Sequence, residues 1–242
     1  MAHIYGISPI FEALKAGKRD FQRLLFARGA KPARLEDLRQ LARKKGIPCF
    51  EEPREKLDQL TGGVNHQGVV AVVSAASYAD PSEILDALPE NPLLVLLDQV
   101  EDPHNLGAII RTAECAGANG VFITEHHAAH LTDTVVKASA GATEYVPVAR
   151  VTNLSYFIES LKARHIWVIG VEANGEKSYP EWDFQQPTAI VMGSEGKGLR
   201  RLVREHCDMI VSIPLLGQIT SLNVSVATGV LLYEAVRQRR AK

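Results

Sequence analysis

The chain has 242 residues, of which 46% are hydrophobic and 23% charged, with a formal net charge of −1 and three cysteines. That length exceeds the commonest single-domain size of ~100–150 residues and that apolar content excludes bulk disorder, so one large α/β domain with a smaller companion is expected. No apolar run reaches the ~18 residues of a membrane span and no charged leader opens the chain, so a cytoplasmic protein is expected. Cys49, Cys115 and Cys207 form no CxxC pair, which argues against a disulfide frame or a zinc site.

In chain order, Ser8 with Pro9 starts a helix that Gly17 ends, and Leu24 to Phe26 reads as a short strand. Pro32 to Lys45 reads as a helix stopped by Gly46. Strands follow around Pro48 to Phe50 and over Val69 to Val73. Residues 1–73 thus form a small α/β unit. Its first 45 residues hold 11 Lys and Arg against 4 acids, a net +7, while the remainder carries −8. A basic module suits a polyanion, although Arg39, Arg43, Lys44 and Lys45 also fit the solvated face of one helix.

The Ser-, Ala- and Pro-rich stretch 74–92 reads as a linker with a helical turn or more. From Leu93 to the end, residues 93–242, apolar strands alternate with helices: LLVLLD, a helix after Asn105, GVFIT, a helix near Val135, EYVPV, a helix after Asn153, IWVIGV, TAIVMG, a helix after Gly198, MIVSIPLL, and a last helix from Ser221. Strands of that kind are buried parallel ones with helices on both faces. Ligands then sit beyond their carboxyl ends, where EDPHNLG, GVEANG, MGSEGKG and PLLGQITS fall.

Three of these segments carry chemistry. In LDQVEDPHNLGAIIRTAEC a strand ends near Asp98, a turn holds Asp102, Pro103 and His104, and Asn105 opens a helix whose second turn presents Arg111. Asn105 and Arg111 are separated by ~600° of helical rotation, so they do not share a face and Asn105 acts from the helix mouth or simply caps it. The run of buried-type neighbours around Arg111 sets it apart from an ordinary surface arginine. AIVMGSEGKGLRRLV delivers Gly193 at a strand end and then Glu195 in a Gly-rich turn that matches no phosphate-loop pattern. IPLLGQITSLNVSV turns through Gly217 into a helix opening at Ser221, with Asn223 beside it. Polar groups gathered behind an apolar strand end suit a small polar ligand next to an apolar pocket. By contrast EHHAAH, with His126, His127 and His130, reads as a solvated loop rather than a metal site.

These three segments, with YGISPIFEAL and HQGVVA near the start and EHCD and YEAVRQR near the end, resemble the SpoU family of RNA ribose 2′-O-methyltransferases over nearly the whole chain. The resemblance implies S-adenosylmethionine as methyl donor, no metal, a homodimer, and a parallel-sheet domain closed by a deep trefoil knot. It also implies that Gly193, Ile213 and Leu222, with Met192, Gly170 and Leu215 as weaker neighbours, line the cofactor. Arg111, Asn105, Glu195, Ser221 and Asn223 correspond to the catalytic set. The acceptor it points to is a guanosine ribose of 23S ribosomal RNA; a transfer RNA methylase and a non-catalytic RNA-binding assembly factor are the rivals. A guanidinium is a poor proton acceptor at neutral pH. Arg111 is therefore expected to stabilise the developing alkoxide or hold a phosphate, with Ser221 and Asn223 orienting it or the ribose, and Glu195 holding a base or a loop.

Overall fold

The computed structural model describes residues 2–30 and 33–240, so Pro32, the expected start of the second helix, lies outside the described residues. The chain forms two compact units, one of residues up to Ser77 together with Leu131–Tyr145, the other of Tyr78–His130 and Val146–Lys242.

The first unit is a four-stranded sheet built from β1 (Ala2–Tyr5), β2 (Phe21–Ala27), β3 (Cys49–Glu52) and β4 (Val69–Val73), in the order β1-β4-β2-β3. Only the β2–β3 pair is parallel. Helix α1 (Ile7–Ala16) ends on Gly17, whose φ of 67° lets its N–H reach back to the Ala13 carbonyl. Helix α2 (Ala33–Lys44) has an apolar face of Leu35, Leu38 and Ala42 that packs with Ile10, Leu14, Leu24 and Phe26 on one side of the sheet. The other side is covered by α3 (Arg54–Leu60), a helix the sequence did not signal, through Leu57 against Leu25, Val70 and Val72. The inserted segment carries the short helix α6 (Asp133–Ala138) and a 3-10 turn at Ala142–Glu144. Val136 enters the first core, the Asp133 carboxylate accepts from the His3 N–H, and Glu144 meets Arg19 at 2.5 Å with both side chains buried.

The second unit has seven strands: β5 (Leu93–Asp98), β6 (Gly120–Thr124), β7 (Val148–Val151), β8 (Trp167–Val171), β9 (Lys177–Ser178), β10 (Thr188–Gly193) and β11 (Met209–Ser212). They run parallel in the order β7-β6-β5-β10-β8-β11-β9, the α/β sheet expected. Helices α4 (Pro81–Asp86), α5 (Pro103–Cys115), α7 (Leu154–Lys162), α8 (Arg201–His206) and α9 (Val224–Arg240) complete it, with α5 packed on α9. Central strands β5 and β10 are apolar and buried along almost their full length, as parallel strands covered on both faces must be.

Several boundaries differ from the sequence reading. Helix α5 begins at Pro103 with Asp102 as its cap, because the Asp102 carboxylate accepts from the His104 N–H at 2.8 Å. Asn105 is therefore an interior residue of the first turn, not the cap. EYVPV does not form a strand from Glu144; the chain makes the 3-10 turn there and β7 starts at Val148. Strand β11 stops at Ser212, so residues 213–223 are loop and not a strand running to Leu216. The last helix opens at Val224 rather than Ser221, because the Asn223 side-chain oxygen accepts from the N–H of Ser225 at 2.9 Å and of Val226 at 3.4 Å.

Candidate active site

The carboxyl ends of β8, β10 and β11 and the mouth of α9 enclose a cavity of about 580 Å³, inside the roughly 300–1,000 Å³ range of small-molecule sites. Of the residues expected around a cofactor, Met192, Gly193, Ile213, Leu215 and Leu222 line it. Gly170 does not. A Cβ there would lie 2.7 Å from both Ile210 Cδ1 on β11 and Leu199 Cδ1 in the loop before α8, so this glycine makes room for close packing on β8. Cys207, packed against the same core, has its thiol pushed up to about 12 by burial, so it is no nucleophile.

Gly193 is required by close approach. A Cβ on it would fall 2.2 Å from the Gly198 carbonyl carbon, because Ser194 and Gly198 exchange backbone hydrogen bonds of 3.0 and 3.2 Å and fold the loop back on the strand end. Gly198 itself has φ of 66°, the left-handed conformation a glycine adopts without strain. The returning loop is then fixed by Asp98, a residue the sequence placed only as a strand end. Its buried carboxylate accepts from the Arg200 N–H at 2.8 Å and from Arg200 Nε at 2.7 Å. In the sheet Asp98 is also the register partner of Gly193, so one residue holds both ends of the loop, its backbone at the strand end and its carboxylate at Arg200. A buried acidic residue closing an otherwise apolar strand was the signal available for it.

Glu195, at the tip of that loop, joins two distant segments. Its Oε1 accepts from Asn105 Nδ2 at 2.8 Å and from Asn223 Nδ2 at 2.9 Å. Asn223 Nδ2 also donates to Asn105 Oδ1 at 3.0 Å, while Asn223 Oδ1 faces the N–H groups of α9. The two ends of this amide are thus used differently, one capping a helix and the other closing the network. Three of the five expected catalytic residues, Asn105, Glu195 and Asn223, are brought together, and Ser221 lines the same cavity.

Arg111 is not part of that cluster. It stands on the exposed face of α5, opposite the buried row Leu106, Ile109, Ile110 and Ala113, and does not line the cavity. The apolar neighbours that set it apart in sequence belong to the other side of the helix.

The cavity's charged side chains are Glu172, Glu195 and Lys197. Two carboxylates against one ammonium suit a cationic or neutral ligand with polar edges better than a polyphosphate. Glu172, at the end of β8, is a lining residue the sequence reading passed over; Arg204 Nε holds its Oε2 at 3.0 Å. The apolar wall is partly open: Leu222 is 40% exposed. Among the described residues no group of three or more His, Cys, Asp or Glu could hold a metal ion. His126, His127 and His130 do not cluster, and His130 lies 3.5 Å from the Tyr78 hydroxyl. No helix among the described residues is long and apolar enough to cross a membrane.

Comparison with known proteins gives two family matches, the SpoU rRNA Methylase family over residues 92–233 and the RNA 2′-O ribose methyltransferase substrate binding family over residues 3–79. The chain is 44% identical to a putative TrmH family tRNA/rRNA methyltransferase, YacO, of Bacillus subtilis, over 98% of this chain and 96% of that one. It is 42% identical to the 23S rRNA (guanosine-2′-O-)-methyltransferase RlmB of Pseudomonas putida, over 99% of this chain and 97% of that one. Among solved structures it is similar to the SpoU methyltransferase AviRb of Streptomyces viridochromogenes in complex with the cofactor AdoMet, with a TM-score of 0.84 and 31% identity over 99% of this chain and 91% of that one.

Proposed function

The chain belongs to the SpoU rRNA methylase family, and from that premise we propose that its acceptor is the ribose 2′-hydroxyl of a guanosine in 23S ribosomal RNA. It is an S-adenosylmethionine-dependent RNA 2′-O-methyltransferase, and membership implies the trefoil knot in its C-terminal segment. The target rests on one observation above all. Identity to a 23S guanosine methyltransferase runs through the substrate-binding segment as well as the catalytic one, and the former is where the basic residues concentrate. Action on ribosomal RNA supports a cytoplasmic location.

The cavity fits the cofactor in volume, in its apolar wall of Met192, Ile213, Leu215 and Leu222, and in the carboxylates at its rim. When bound, S-adenosylmethionine supplies an electrophilic methyl group. The protein's part is to aim the hydroxyl along the line of transfer and to stabilise its oxygen as charge develops. Glu195, held by Asn105 and Asn223 through Oε1, keeps the 194–198 loop closed over the cavity and acts as a holding group rather than as base. Ser221 orients the ribose, while Asn223 holds the loop and helix mouth that frame it. Arg111 stabilises the nascent alkoxide or grips a neighbouring phosphate, and the proton leaves to solvent or to an RNA phosphate. Its exposure on α5 means that RNA, or a second copy, must come to it. A homodimer is supported by the outer face of α9, where Val226 and Tyr233 are 54% and 53% exposed.

The test is methyl transfer from labelled cofactor to unmodified transcripts. Incorporation at a guanosine 2′-oxygen of a 23S transcript is expected; incorporation into transfer RNA alone would assign the rival substrate, and absence of cofactor binding by calorimetry would leave only a non-catalytic RNA-binding factor.

A further inference from the structure

Strand β3 is the outer edge of the first unit's sheet, and it breaks the pattern of that sheet in one place. Cys49 packs into the α1/α2 core, so alternation turns Phe50 to the opposite face, the one α3 covers. There its register partner Leu25 is 3% exposed, whereas Phe50 is 51% exposed. The α3 anchor Leu57 packs on Leu25, Val70 and Val72 instead, and Phe50 belongs to neither core of this unit.

Guanidinium groups lie on both faces of the sheet beside it. Arg23 lies on the same face of β2, two residues before Leu25, and is exposed. On the other face Arg39 and Arg43 act on the thiol of Cys49, whose proton affinity is raised first of all by burial and drawn back in part by their charge. The strand's own carboxylates are already paired, Glu51 with Arg39 at 3.0 Å and Glu52 with Lys56 at 2.7 Å. What remains is a half-exposed aromatic ring on a short edge strand with guanidinium groups on either side. Such a combination takes an unpaired base by stacking and its flanking phosphates by charge, and it would not suit a duplex, whose bases offer no free face.

We infer that this edge is a stacking site for an unpaired base of the RNA substrate, with Phe50 under the base and Arg23 and Arg43 on the flanking phosphates. The inference rests on the RNA-methylating reading and adds where that RNA is gripped. Phe50 is half exposed, so its replacement leaves both cores intact.

Binding of the full chain to an in vitro transcript of 23S ribosomal RNA tests it. Phe50→Ala is expected to weaken binding about tenfold, the scale of one lost base–aromatic stack. Phe50→Trp is expected to stay within about twofold of the parent protein, since the ring is kept. Replacing Arg23 and Arg43 by Gln should reduce the steepness of log affinity against log salt by about 0.7 for each phosphate no longer neutralised. Cofactor affinity, measured by calorimetry, should be unchanged in all of them. Wild-type binding and salt slope in these variants would overturn the assignment, as would conversion of a dimer to monomers by Phe50→Ala in sedimentation, which would give the edge to a second copy. A parent protein that binds the transcript yet transfers no methyl group to it overturns the substrate reading instead, and the edge is then judged on binding alone.

Discussion

Asp98 and Arg111 behave oppositely in sequence and in space. Asp98 is an inconspicuous strand end that holds the 194–198 loop by two charge-assisted hydrogen bonds to Arg200. Asp98→Asn removes the charge while keeping the shape, and it is expected to weaken S-adenosylmethionine binding about tenfold, or about 1.4 kcal/mol, measured by calorimetry. An unchanged dissociation constant would detach this residue from the site. Arg111 stands out in sequence yet is exposed on α5, apart from the Asn105–Glu195–Asn223 network. If it acts as a fixed cation and not as a base, the log of the single-turnover rate rises with pH as the acceptor hydroxyl ionises more readily, and Arg111→Lys loses about tenfold or more because the planar fork is lost. A pH-independent rate together with a fully active lysine variant would contradict that role. The residue types of the site were legible from the ordered motifs. What was not legible is which atoms meet, because the hydrogen bond from Asn105 to Glu195 spans 90 positions and that from Asn223 to Asn105 spans 118. Gly170 shows the same limit: small residues at strand ends serve packing and ligand approach alike, and only its neighbours Ile210 and Leu199 tell the two apart.

Among elements, α9 carries the clearest division of labour. Its first turn is capped by Asn223, which also bonds Glu195, and its last turn is clamped to the segments leading into β5 and β10. Gln238 accepts from the Phe184 N–H at 2.9 Å, and Arg239 donates to the carbonyls of Phe184, Asn91, Pro92 and Gln186. Between them Glu234 takes two hydrogen bonds from Arg237 and one from Gln238, and the Arg237 guanidinium first of all draws its carboxyl below the usual range. A depressed folded value means stability that is present above the unfolded carboxyl's titration and lost as pH falls through the folded one. Glu234→Gln should therefore flatten the acid limb of a stability profile followed by urea unfolding, leaving the difference from the parent smallest at the lowest pH. A constant difference across that range would refute the linkage. The clamping role of Arg239 is hidden in the sequence because its partners are mostly backbone carbonyls, which no side-chain pattern announces. Boundaries failed for similar local reasons. Residues 213–223 begin with an apolar run that reads as strand, but no neighbouring strand pairs with it and its side chains serve the cavity rim instead.

At the scale of the molecule, the alternation of apolar runs and helices from Leu93 foretold the parallel sheet, whereas the strand order and the excursion of 131–145 could not be read. Nothing in composition marks that segment as part of the first unit. It is placed there by Val136 in the core, by the Asp133 carboxylate on the His3 N–H, and by the buried Arg19–Glu144 pair. A buried cation stripped of its partner is strongly destabilising, by about 3–5 kcal/mol. The chain therefore passes between its units three times, and a fragment ending at residue 77 would lack part of its own core. Charge is divided along the same lines, with the basic excess in the unit that carries the substrate-binding match and the cavity in the unit that carries the methylase match.

In the proposed function, cavity, loop closure and basic unit serve one chemical event, a methyl group placed on a ribose 2′-oxygen of ribosomal RNA. Ribose-methylation mapping of total RNA from cells with and without the protein tests it most directly. The predicted result is the loss of a single 2′-O-methyl signal at a guanosine of 23S ribosomal RNA, restored by the parent chain and not by a chain carrying Asn223→Ala. An unchanged map of the large ribosomal RNA, or a signal lost from transfer RNA instead, would contradict it.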